Sequence, residues 1–259
     1  MEKEQYRTDD TDVVMTDGKT TRKNTIGIVG EITDEPELIV DAADWERKVY
    51  ETRLKRTRPS GTVDIYILQF NGRAAGSEEM LERITDGAEV LVGGEIRSEN
   101  VRDPQPEENR VKIYIRAEVI VVNDPNVKDQ NEVKVCGYVC NQPAFRLTKK
   151  RNKKGKRVAV TNMMVAVNSQ KGTSYIPCVC FDAMAYSAET LHMGDYVEIY
   201  GRFQSRDYRK RIEGRELPYL TTVYEVCVRD LKSKKRGLKN QSEDENAEKI
   251  NKNRTHTCT

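Results

Sequence analysis

Between Arg146 and Arg157 the sequence RLTKKRNKKGKR carries eight cations (Arg146, Lys149, Lys150, Arg151, Lys153, Lys154, Lys156 and Arg157) and no carboxylate. Such a run suits a polyanion, because each phosphate paired with a Lys or Arg releases a condensed counterion and that release drives binding. A solvated charged hairpin or a localisation-like tract has the same composition, so the nearby aromatics decide. Tyr175, Phe181, Phe203 and Tyr208 lie close in sequence to Arg202, Arg206, Arg209 and Arg211. Rings set among cations are what unpaired bases stack on, at about 1–3 kcal/mol per base. Tyr175 and Phe181 are six residues apart, a spacing that puts both on one face of a strand. Tyr208 sits in the charged stretch SRDYRKR and is expected on an exposed hairpin arm, whereas Phe203 is expected in a core.

Other chemistry finds little to work with. The chain holds no GxxxxGK[ST] loop, no HExxH and no GxSxG, and His192 has no partner that spacing would supply. Six Cys and two His include no CxxC pair and no zinc-finger spacing. The thiols are expected reduced and mostly buried, and no catalysis, cofactor or metal is expected.

The elements that must hold these residues show first in a repeat. TIGIVGEITDEPEL at residues 25–38 aligns with EVKVCGYVCNQPAF at 132–145, an offset of 107 residues. At that offset Gly87 falls on Gly194, Gly94 on Gly201, and Glu118-Val119 on Glu225-Val226. A period of this size marks duplicated globular domains and not a solenoid. One copy is placed at 24–124 and the other at 131–231. A polar linker, 125–130, joins them, and disordered segments are expected at 1–23 and 232–259. Charge separates the copies: the first has 13 Lys+Arg against 21 Asp+Glu, the second 17 against 10, so a whole-chain net of +2 hides opposed halves.

Each copy reads as strands. Val133, Val135 and Val139 keep period 2, as do Val158 with Val160 and Val165 with Val167. The parity change near Thr161-Asn162 predicts a bulge. Further strands are expected at 175–181, 196–202 and 219–228, with a short helix over 183–193 capped by Gly194. The first copy repeats the order. Trp45 to Leu54 approaches helical spacing, but its counterpart is a strand and Pro59-Ser60-Gly61 supplies a hairpin turn. Five strands with one helix between the third and fourth is the order of the OB-fold, so the fold class is all-β: two tandem five-stranded Greek-key barrels with short helices and disordered termini. The basic run then occupies the loop between strands one and two.

MMVAVNS (163–169), YIPCVCFD (175–182), GDYVEIYGRFQSRDY (194–208) and YEV (224–226) together resemble the bacterial single-stranded DNA-binding protein family, and the likeness spans nearly all of 131–231. The first copy resembles it mainly through VGEITDEPEL (29–38) and GAEVLVGGEIRSEN (87–100). The resemblance implies sequence-tolerant wrapping of single-stranded DNA, with Tyr175, Phe181 and Tyr208 matching the family's stacking aromatics and a homodimer presenting four OB-folds. It also implies a role in replication, recombination or repair. The family's acidic tail with its apolar tip is missing from the ending NKNRTHTCT, so docking by that route is not expected. The acidic first copy, with Ile65 near the position of Tyr175, reads as chiefly structural or a contact surface for replication or repair proteins, with weak DNA contact through Arg53, Lys55, Arg56 and Arg58. An OB module for RNA, or a primosome-type protein-contact module, is the competing reading, since only 2′-hydroxyl recognition separates the nucleic acids. No apolar run is long enough for a membrane span and the first twenty residues lack the apolar core of a secretory signal, so a cytoplasmic, nucleoid-associated protein is expected.

Overall fold

The computed structural model describes residues 13–16, 19–105, 108–151, 155–169, 172–210 and 218–235. Two short strands, β1 (Val13–Thr16) and β2 (Lys19–Arg22), form a separate hairpin. The first repeat contains β3 (Asn24–Ile32), β4 (Glu37–Val40), β5 (Val49–Thr57), β6 (Val63–Asn71), β7 (Glu89–Asn100) and β8 (Val111–Val122), with short helices α1 (Gly72–Ala75) and α2 (Glu78–Glu82) between β6 and β7. The second contains β9 (Asn131–Val139), β10 (Ala144–Arg151), β11 (Arg157–Ser169), β12 (Gly172–Phe181), β13 (Tyr196–Lys210) and β14 (Tyr219–Lys234), with α3 (Asp182–Glu189) after β12.

Alternating apolar residues close each repeat on itself. β3 pairs with both β5 and β7, β5 with β6, β7 with β8, and a parallel contact of β6 with β8 completes the ring. β9, β11, β12, β14 and β13 repeat that circuit strand for strand. This is the expected pair of five-stranded barrels. Ile28, Ile32, Leu54, Leu68, Val92 and Ile115 fill the first, and Val135, Val165, Ile176, Val197, Ile199 and Val226 fill the second, all fully buried.

The barrels join through their first strands. β3 and β9 run antiparallel, from Asn24 opposite Val135 to Ile28 opposite Asn131, which makes one sheet of 12 strands with β10 at one edge and β4 at the other. Side chains from the two repeats interlock around this seam. Tyr66 stacks on Phe203 at 5.0 Å between ring centroids and donates its hydroxyl to the Phe203 carbonyl at 2.8 Å. Asp64, fully buried, accepts from the Arg58 guanidinium at 2.5 Å and from the Ser205 amide at 2.7 Å. Burial pushes the Asp64 carboxyl up, but the bonds from Arg58 and Ser205 outweigh it and hold the group below its usual value. Phe203 is therefore core, as its sequence context suggests.

The strand expected at 49–58 starts at Val49, after a single 3-10 turn at Trp45–Arg47. Several other expectations change. No bulge lies at Thr161-Asn162, because the β11–β12 ladder runs unbroken from Val160 opposite Phe181 to Ser169 opposite Gly172. The parity change is a change of face: Val165 and Val167 fill the barrel, while Val158 and Val160 pack with Val179 and Cys227 in a small cluster on the other side. The bulges fall between Gly93 and Gly94 and between Tyr200 and Gly201, the same place in each repeat. A Cβ at Gly94 would lie 2.1 Å from the Arg116 carbonyl oxygen, and one at Gly201 would lie 2.3 Å from that of Cys227, so both sites need glycine.

Past those bulges Gly94 faces Ala117 as Gly201 faces Val228, so Ile115, not Val119, is the counterpart of Val226. Gly87 and Gly194 do not cap helices, since α2 and α3 end earlier. Each instead donates to the end of its repeat's first strand, Gly87 to Ile32 and Gly194 to Val139, both at 2.8 Å. Near the ends of the described residues β1 and β2 pair, and β14 follows β13 out to Lys234 opposite Tyr196. The rest of the termini expected to be disordered lies outside the described residues.

Candidate nucleic-acid interface

On β12 the side chains of Ile176, Cys178 and Cys180 fill the barrel, which turns Tyr175, Pro177, Val179 and Phe181 to the outer face. Tyr175 is 48% exposed and Phe181 39%, on one face as their spacing requires. Six residues of strand separate them by about 20 Å. Residues directly opposite in a sheet share a face, so the ladder lays out the surface between the rings. Arg146 faces Val160, which faces Phe181. In the next row Asn162 faces Val179, Val179 faces Cys227, and Cys227 faces Arg202. Farther along, Ala166 faces Tyr175. The floor is thus the apolar cluster of Val160, Val179 and Cys227, rimmed by aromatics and cations.

The described part of the basic run is mostly strand and not loop: residues 146–151 lie in β10, Arg157 opens β11, and the two strands pair as an antiparallel hairpin. The ladder runs from Ala144 to Leu147, shifts register before Arg151 opposite Arg157, and leaves the long cationic side chains in water. Arg146, Lys149, Lys150, Lys156 and Arg157 are exposed, and the Arg151 guanidinium donates to the Gly155 carbonyl at 2.6 Å across the turn. Lys153, Lys154 and Arg211 lie outside the described residues.

Tyr208 is 49% exposed on the β13–β14 arm, with the Arg206 guanidinium 5.9 Å from its ring centre, a cation–π arrangement. Arg209 beside it is exposed. Arg206 is committed to a carboxylate: its Nε donates to Glu225 at 3.0 Å, and Gln204 donates to the other oxygen at 3.1 Å. Arg202 is half-buried against Cys227, its Nε buried and without a hydrogen-bond partner. Arg229, the extra residue at the Tyr200/Gly201 bulge, joins Arg202 in lining a small cavity of about 230 Å3. Nothing in its sequence context marked it, because the bulge is legible only in the pairing.

The first barrel presents a different surface at the same positions. Ladder equivalence puts Ile65 where Tyr175 stands and Asn71 where Phe181 stands. Asn71 uses its side chain to cap α1, accepting from the Ala74 amide at 3.0 Å, whereas Phe181 opens α3 with no side-chain cap. The four cations expected to give weak DNA contact are engaged elsewhere. Arg53 pairs with Asp34 at 2.9 Å, Lys55 with Glu31 at 2.7 Å, Arg56 with Asp129 at 2.6 Å and Arg58 with Asp64 at 2.5 Å. Local neutralisation by an acid-rich repeat explains the difference.

Cys136, Cys178, Cys180 and Cys227 are buried free thiols and Cys140 is half-buried, while Cys258 lies outside the described residues. Burial pushes the Cys180 thiol up to about 12, which keeps it protonated and unreactive. Among the described residues no group of three or more His, Cys, Asp or Glu could hold a metal ion, and no helix is long and apolar enough to cross a membrane.

The architecture has solved counterparts. The wild-type single-stranded DNA binding protein from Thermus aquaticus is 20% identical and superposes with a TM-score of 0.61 over 83% of this chain and 94% of that one. A deletion mutant of the same protein is 18% identical, with a TM-score of 0.60 over 84% of this chain and 97% of its own. No curated protein matches the chain. At such identities the likeness establishes the fold, while the sequence itself matches more narrowly: the stretch bearing the exposed aromatics and the basic hairpin, residues 130–233, matches the Single-strand binding protein family.

Proposed function

We propose that the chain binds single-stranded DNA with little regard to sequence, as a coat protein of replication, recombination or repair and not as an enzyme. Division into barrels at 24–124 and 131–231 assigns the binding to the second. Tyr175, Phe181 and Tyr208 stack bases. Arg146, Lys149, Lys150, Arg151, Lys153, Lys154, Lys156 and Arg157 of the basic run track phosphates, as do Arg202, Arg206, Arg209 and Arg211. The observation that carries this reading is the pair of half-exposed rings on one strand face, opened to water beside the basic hairpin. A duplex hides its base faces, so stacking of this kind selects unpaired strands.

The same reading makes the molecule a homodimer with four OB-folds. The outer face of the central strands supports it: Val119 and Tyr138 are each 50% exposed there, and Tyr138 packs edge-on against Tyr196 at 5.4 Å. Tyrosines around the Lys134–Glu198 ion pair on this face suit a second copy. The acidic first barrel is proposed as a surface for replication or repair proteins, in a cytoplasmic, nucleoid-associated setting. Fluorescence anisotropy against labelled oligo-dT, the matching RNA and a duplex tests the core of it. Preferential, salt-sensitive binding of oligo-dT is expected, and equal binding of duplex would overturn it.

A further inference from the structure

The two free edges of the sheet are the same structural position in the two repeats. β4 continues the first strand of its barrel and pairs with β5, with Leu38 opposite Tyr50, and β10 continues the first strand of its barrel and pairs with β11, with Phe145 opposite Thr161. Their charges are opposed. The stretch 31–44 carries six carboxylates and no cation. Glu31, Asp34, Asp41 and Asp44 pair with Lys55, Arg53, Lys48 and Arg47, which leaves Glu35 and Glu37 to face eight cations and no carboxylate over 146–157. β4 is also apolar and uncovered: Leu38, Ile39 and Val40 are 42%, 42% and 49% exposed. Leu147 on β10 is 47% exposed.

A strand edge offers unpaired amide and carbonyl groups to another chain, and charged side chains are a common way to discourage that. Here the charges discourage only the like pairings. β10 against β10 brings lysines and arginines together, and β4 against β4 brings carboxylates together, while β4 against β10 is attractive and joins Leu38 and Val40 to Leu147. We propose that the β4 edge of one molecule pairs with the β10 edge of another, so that copies of this chain associate head to tail through their sheets. Such a contact is heterologous, using different surfaces on the two partners. Pairing in the plane of the sheet uses the backbone and leaves the outer face with Phe181 open; it shares the β10 cations with the DNA reading, and it is therefore tested without DNA.

The test is sedimentation velocity on the free full-length protein at about 0.01 M and about 1 M salt, where the Debye length falls from about 30 to about 3 Å. Two charge-reversed variants accompany it, Lys149→Glu/Lys150→Glu and Glu35→Lys/Glu37→Lys. All four positions are exposed, and circular dichroism verifies that each variant folds. Wild type at low salt should show a weight-average mass at least twofold above its high-salt value. Each variant alone should show only the high-salt mass, and an equimolar mixture of the two should regain the low-salt association because each now offers what the other lacks. Equal wild-type masses at both salts, association of either variant alone, or a mixture that stays apart would each overturn the proposal.

Discussion

Replacing Phe181 by Asn gives the second barrel the residue that the first barrel carries at the same position. In the first barrel Asn71 caps α1 through the Ala74 amide at 3.0 Å. Backbone dihedrals at the two positions are close, φ −105° and ψ 168° at Asn71 against φ −120° and ψ 152° at Phe181, but Asp182 follows at φ 47° where Gly72 has no positive φ, so no gain from a cap is expected. The ring removed is 39% exposed and outside the barrel core, so its loss costs the fold less than a core truncation would. Stability should therefore change little. Binding should fall, because one stacked base is worth about 1–3 kcal/mol, or roughly 5- to 150-fold in Kd. Anisotropy titration with oligo-dT and a thermal melt on the same preparation read both quantities. A folded Phe181→Asn variant that binds within twofold of wild type would refute the stacking role.

Replacing Lys149 and Lys150 by Ala should lower the magnitude of the slope of log Kobs against log[salt] by about 1.4, at about 0.7 per phosphate contact on single strands. An unchanged slope would take the hairpin off the DNA path. Ile65→Tyr should lengthen the occluded site in a reverse titration on poly-dT, by adding a ring where the first barrel lacks one. An unchanged length would mean that this face is closed for another reason. Asp64→Asn should destabilise the fold by about 1.5–3 kcal/mol, since it removes the charge-assisted bonds to a buried carboxylate while half-buried Arg58 keeps the Ser205 carbonyl. Because the folded Asp64 carboxyl sits below its ordinary value, its contribution is full above about pH 4 and is lost as pH falls further. Wild-type Tm should drop on that acid limb more steeply than Tm of the Asn variant, and parallel curves would contradict the linkage.

The repeat, the barrels and the exposed rings were legible because each rests on local pattern. Period-2 valines mark strands, and a six-residue spacing decides whether Tyr175 and Phe181 share a face, whatever lies around them. What depended on pairing was not. Val160 looked like part of a bulge because its parity disagrees with that of Val165. Only the position of Val179 and Cys227 across the ladder explains why it is buried on the other side. Arg53, Lys55, Arg56 and Arg58 read as available cations until their carboxylates were located, three of them in sequence-distant segments at Asp34, Glu31 and Asp129. The equivalence of Ile65 with Tyr175 was within reach of the repeat. That of Asn71 with Phe181 was not, since unequal turns shift the alignment between strands.

The central claim is that DNA lies across the outer face of the second barrel. Photocrosslinking of full-length protein to an oligonucleotide bearing a photoreactive thymine analogue, with mass-spectrometric mapping of the adducts, tests it directly. Adducts are expected on the peptides containing Tyr175, Phe181 and Tyr208, with the 24–124 peptides essentially free. Adducts concentrated on the first barrel around Ile65 and Asn71 would contradict the account.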